Sequence, residues 1–184
     1  MTKAIIWDMD GVLADTGATH YRAWRALTAE LGLELTYEQF AETFGMANGP
    51  ILRAWLGEAA TPGQIRALAD RKEALFRALV ASEARLSPGV RAWLERARAQ
   101  GFRQVVASSA PMANVVAIVA ALEIGDYFDA LLSGSFLPRS KPDPAIFLRA
   151  AAVGAPPPRC VVLEDGVVGV EAARRAGMPC VAVT

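Results

Sequence analysis

Ala4-Ile5-Ile6-Trp7-Asp8-Met9-Asp10-Gly11 decides how the rest of this chain is read. Four apolar residues in a row, with no polar alternation, are the pattern of a strand buried on both faces of a parallel sheet. The run ends abruptly on two aspartates spaced to project to the same side if the strand continues. Gly11 allows a sharp turn after Asp10 and leaves backbone N–H groups free to face an anion. The opening therefore predicts a first strand that delivers carboxylates to the edge of a sheet.

Residues downstream first turn helical. His20, Trp24, Leu27 and Leu31 recur at helical spacing, with Gly32 as a stop. Thr36-x-x-Gln39 opens a second helix as a capping box, and Thr61-Pro62-Gly63-Gln64 opens a third that carries Ile65, Leu68, Leu75, Phe76 and Leu79. No strand is convincing between residues 15 and 82. Beyond that point Ser87-Pro88 is expected to cap a helix through Val90, Trp93 and Leu94. Short apolar strands then alternate with helices: 104–107, 130–132, 160–163 and 180–183. That alternation predicts an α/β fold, a doubly wound parallel sheet. The expected organisation is a core of residues 1–14 and 83–184, interrupted by a helical insertion over 15–82.

The chain has 184 residues, 53% hydrophobic and 21% charged, enough to bury a real core. Its 19 basic and 19 acidic side chains give no net charge, and no basic stripe is visible, which argues against a nucleic-acid partner. The longest apolar run, 115–122, is far short of a membrane span. Two aspartates within the first ten residues do not suit a signal peptide. Cys160 and Cys180 sit beside strand-like runs and read as buried reduced thiols. The expectation is a soluble cytoplasmic protein, a monomer, without membrane or nucleic-acid partners.

Ligands of open α/β sheets bind beyond the carboxyl ends of the strands. Four polar groups follow predicted strand ends here: Asp8 and Asp10, then Ser108-Ser109, then Lys141 in Ser140-Lys141-Pro142, then Glu164-Asp165. So many carboxylates in one cleft call for a cation. All donors are oxygens, which selects Mg²⁺ over zinc. Lys141 and the Ser108 hydroxyl suit the remaining oxygens of a phosphate. Each motif alone also fits an ordinary solvated turn or cap. Their order, each at a strand end, does not.

The stretch from Asp8 to Asp15, followed by Thr16, His20-Tyr21-Arg22-Ala23-Trp24, Arg71-Lys72, Ser108, Ser140-Lys141-Pro142 and Glu164-Asp165, resembles the haloacid dehalogenase superfamily. The branch it is most similar to holds β-phosphoglucomutase and small phosphosugar phosphatases. The resemblance implies a Rossmann-like core with an inserted helical cap and a small phosphorylated metabolite as substrate. It implies Asp8 as the nucleophile that forms an aspartyl phosphate and Asp10 as general acid and base. Ser108, Ser109 and Lys141 would hold phosphoryl oxygens. Mg²⁺ would lie on Asp8, the Asp10 carbonyl and Asp165, with Glu164 as ligand or orienter. Asp10 also argues against dehalogenation, because dehalogenating members lack that second aspartate.

In the cap the resemblance points to His20, Trp24, Gly45, Asn48, Arg53 and Lys72 as substrate residues. Trp24 and Lys72 read equally well as core packing and a surface lysine, and His20 as a packed hinge residue. The mutases grip a distal phosphate with an arginine in a cap loop; here that loop is expected over 44–50, with Asn48 where the arginine would be and Phe44 in place of their lysine. A neutral amide gives no charge-assisted bidentate grip. This favours a phosphatase, with a mutase kept as the alternative through Arg53, one helical turn on. Gly166 replaces the serine usual after the acidic pair. A reading of a different class is a chain that binds phosphate without turnover.

Overall fold

The sheet is built outward from Ala4–Trp7 (β1), whose four side chains are all buried. The computed structural model describes residues 3–43, 46–57 and 59–183. β1 is flanked on one side by β2 (Arg103–Ser108) and then β3 (Ala130–Ser133), and on the other by β4 (Cys160–Glu164) and then β5 (Cys180–Ala182). All pairings are parallel, with Ile6 opposite both Val105 and Val162. The order β3-β2-β1-β4-β5 changes direction beside β1, the place where such sheets bind ligands.

The chain divides into two compact units, one of Met1–Thr16 with Ala84–Thr184 and one of Gly17–Glu83. The sheet unit carries the later helices. Before them, the helical unit consists of α1 (Gly17–Glu30), α2 (Tyr37–Thr43), α3 (Asn48–Leu56) and α4 (Pro62–Glu83). Then follow α5 (Val90–Ala99), α6 (Met112–Ala121), α7 (Ala145–Gly154) and α8 (Val167–Arg175).

Strand alternation divides the sheet's side chains between two faces. Ala4 and Ile6 of β1, Val105 and Ala107 of β2, and Cys160 and Val162 of β4 join one buried cluster with Phe147 and Ala150 of α7 and Ala172 and Ala173 of α8. The opposite face carries Trp7 and Gln104. Trp7 Nε1 donates to Gln104 Oε1 at 3.1 Å, and Gln104 Nε2 donates to the Leu94 carbonyl of α5 at 3.1 Å. The buried amide is thus satisfied at both ends, as a group taken out of water must be.

The helical unit has its own core of Trp24, Leu27, Phe40, Ile51, Leu52 and Ile65. Both predicted capping boxes form. Thr36 N donates to Gln39 Oε1 at 2.9 Å while Gln39 N donates to Thr36 Oγ1 at 3.3 Å, and Thr61 and Gln64 make the same pair of bonds. Among the described residues, no helix is long and apolar enough to cross a membrane.

Three local expectations need correction. Ser87 does not cap α5: the helix begins after Gly89, whose φ of 79° places it in the left-handed region, and only the Ser87 carbonyl takes part, accepting from Val90 N at 3.2 Å. Asn48 does not lie in a loop but begins α3, with Ala47 extended before it. Cys160 is buried, whereas Cys180 on the edge strand is only partly so. Both thiols are free.

Phe147 has no exposed surface and sits at the centre of the α7–sheet cluster. Phe147→Ala should therefore lower the unfolding free energy by about 3–5 kcal/mol, read from the denaturant midpoint. A loss below about 1 kcal/mol would mean that this face is not the core.

Candidate active site

β1 stops at Trp7, so Asp8 and Asp10 lie in the acidic turn after it and not along a continuing strand, and their surroundings differ. Asp8 is buried and its amide donates to the Leu163 carbonyl at 3.0 Å, continuing the ladder towards β4. Asp10 is half-buried, and its Oδ1 accepts from the Thr16 hydroxyl at 2.6 Å. The turn that carries Asp10, residues 9–14, is closed by the Leu13 and Ala14 amides, both donating to the Met9 carbonyl. Gly11 is in the left-handed region, with φ of 79°. A Cβ there would be strained by this backbone and would come within 2.7 Å of Asp165 Cγ, pushing that carboxylate aside.

Lys141 reaches this corner from the loop after β3. Its Nζ donates to Oδ1 of Asp8 and to Oε1 of Glu164, with only 6% of its side chain exposed. The Phe147 ring lies 4.9 Å from the ammonium. Glu164 ends β4, is 3% exposed, and accepts a second bond from the Gly166 amide at 2.8 Å. Asp165 is exposed.

Burial pushes the Asp8 carboxyl up to about 7; Lys141 pulls it back while Glu164 and Asp10 add to the rise. Burial also acts to lower Lys141, but Asp8 and Glu164 more than offset it, and the ammonium is held above its ordinary range. Asp165 is raised, by burial first and then by Glu164.

Ser108 ends β2 and is buried; its Oγ accepts from the Ala110 amide at 3.0 Å. Ser109 is exposed. The Ala110 carbonyl accepts from Ser133 Oγ, at the end of β3, at 2.6 Å, so both peptide groups of Ala110 are pinned. Reading the sequence does not single out Ser133, and it names Thr16 only within the resemblance, with no role. A hydroxyl ahead of a helix reads as a cap, and a serine at a strand end reads as a turn. Their partners lie on other segments.

Carboxylate oxygens of Asp8, Glu164 and Asp165 fall within 4.8 Å of one another. With Asp10 nearby, several carboxylates face a single ammonium, and the donors are all oxygen. That set fits Mg²⁺.

The remaining predicted residues belong to the helical unit. Lys72 is not a surface lysine: it is 2% exposed, 2.9 Å from His20 Nδ1 and 3.0 Å from Glu73 Oε1. Trp24 and Phe76 lie 5.4 and 5.3 Å from its ammonium, and His20 stacks on Phe76. The Asn48 amide donates to the same Glu73 oxygen at 2.6 Å. Trp24 is buried in the helical core, and Arg53 is exposed. Gly45 and Phe44 lie outside the described residues.

A haloacid dehalogenase-like hydrolase family description matches residues 2–177. Hexitol phosphatase B of Escherichia coli is 33% identical, over 98% of this chain and 82% of its own. Fructose-1-phosphate phosphatase YqaB of the same organism is 32% identical, over 97% and 95%. CbbY of Rhodobacter sphaeroides, solved in complex with phosphate, superposes with a TM-score of 0.88 at 30% identity, over 99% of this chain and 86% of that one.

Removing the ammonium would leave two buried carboxylates uncompensated. In EDTA at pH 8, Lys141→Met should lower the unfolding free energy by about 3 kcal/mol, and by less at pH 5, where protonation relieves Asp8. An equal loss at both pH values would contradict this account of the cluster.

Proposed function

The chain belongs to the haloacid dehalogenase-like hydrolase family as a phosphoric monoester hydrolase, and we propose that it hydrolyses a small phosphorylated metabolite, a sugar phosphate, through an aspartyl phosphate on Asp8. The observation that carries this reading is the Asp8–Lys141–Glu164 cluster at the carboxyl end of β1, with Asp10 oriented by Thr16 beside it. The phosphatase names of the two enzymes from Escherichia coli support the substrate class.

In the proposed reaction an Asp8 carboxylate oxygen attacks phosphorus, and the bond from phosphorus to the ester oxygen breaks. Asp10 gives its proton to that leaving oxygen, so the sugar departs as an alcohol. Water then attacks phosphorus; Asp10 takes its proton, and the acyl phosphate bond breaks to return Asp8 and inorganic phosphate. Thr16 holds the Asp10 carboxyl in place through both transfers. Lys141 and Ser108 meet the charge on the equatorial oxygens as the phosphoryl group moves. Asp8, the Asp10 carbonyl and Asp165 would hold Mg²⁺, with Glu164 as ligand or orienter. When bound, it offsets the carboxylate charge and polarises the phosphoryl oxygens.

The helical unit is proposed as the substrate-selecting cap. Its buried cation is already paired: Lys72 bonds to Glu73, and Asn48 bonds to the same carboxylate. That internal neutralisation favours a substrate with a single phosphate over the doubly phosphorylated intermediate of a mutase.

Phosphate release from a panel of sugar phosphates, with Mg²⁺ or EDTA, tests the proposal. Release should require Mg²⁺, vanish in Asp8→Asn, and fall about 10²–10⁴-fold in Asp10→Asn. Conversion of β-glucose 1-phosphate to glucose 6-phosphate without net release would instead make the chain a mutase.

A further inference from the structure

Gly169 sits in the first turn of α8, buried and outside the left-handed region. Glycine inside a helix is less favourable than alanine, and nothing in this backbone conformation requires it. What requires it is space. A Cβ at 169 would lie 2.5 Å from Glu164 Oε2, and Cδ and Oε1 would be closer still. The Glu164 side chain leaves the end of β4 and lies against the bare backbone of α8. From there one oxygen accepts the Gly166 amide at 2.8 Å and the other accepts Lys141 Nζ.

We propose that Gly169 is a positioning residue for the phosphoryl-transfer site. By leaving its Cβ position empty, it seats the Glu164 carboxylate where it fixes the Lys141 ammonium beside Asp8. The atoms that a new methyl group would displace are the far end of a flexible side chain, not backbone. Alanine at 169 therefore spares the fold and moves Glu164, so the effect reaches Asp8 through Lys141. The catalytic meaning of this seat rests on the proposed function; the seat itself rests on geometry.

Three variants test it: Gly169→Ala, Glu164→Asp, and the two together, whose carboxylate is one methylene shorter and leaves room for the new methyl. Crystal structures without metal should find Glu164 out of hydrogen-bonding reach of Lys141 in Gly169→Ala. Mg²⁺ titration calorimetry and sugar-phosphate hydrolysis should each lose about 10–100-fold, with KM little changed. The double variant should exceed Gly169→Ala in both. An unmoved Glu164, or a defect that Glu164→Asp does not relieve, overturns the proposal. If Gly169→Ala is insoluble, a soluble double variant supports the seat and an insoluble one overturns it. If the wild-type chain hydrolyses no phosphate ester, the proposed function fails, while the crystal structures still decide where Glu164 goes.

Discussion

One ammonium group between two buried carboxylates organises the sheet unit. Lys141 Nζ joins Asp8 at the end of β1 to Glu164 at the end of β4, across the place where the strand order changes direction. Taking three charges out of water is costly unless each is paired. Here every pairing crosses between segments far apart in sequence. The loop after β3 must therefore reach over β2 to the middle of the sheet, and α8 must begin close enough to Glu164 for the Gly166 amide to cap it.

The same pairing shapes the chemistry. A carboxylate held by a lysine sits where burial, with Glu164 and Asp10 adding to it, has pushed its affinity for a proton towards neutrality. Such a group needs additional positive charge to remain an anion, and the all-oxygen donor set of Asp8, Glu164 and Asp165 is suited to hold it. Asp10, half-buried and tied to Thr16 rather than to Lys141, has a different environment two residues away. Two carboxylates in unlike surroundings are the arrangement in which nucleophile and proton carrier can be separate groups.

Much of this was legible in the sequence because parallel strands are short apolar runs and their carboxyl ends are where polar motifs collect. Asp8, Ser108, Lys141 and Glu164 each follow such a run, so topology alone brings them together. The capping boxes at Thr36 and Thr61 are equally local and equally legible. What was not legible depends on contact between distant segments. Lys72 falls at a helical position that reads as surface, yet His20 and Glu73 enclose it. Thr16 and Ser133 look like caps or turns until Asp10 and Ala110 are placed against them. Gly89 opens α5 instead of Ser87 because its left-handed backbone sets the entry angle, which a capping pattern does not encode.

The central claim is that Asp8 carries the phosphoryl group during turnover. Acid-quenched reactions with a hydrolysed sugar phosphate, digested and analysed by mass spectrometry, test it directly. A phosphoryl adduct is expected on the peptide containing Asp8, and none on that peptide in Asp8→Asn. Steady turnover with no adduct on that peptide, or an adduct on another residue, would contradict it.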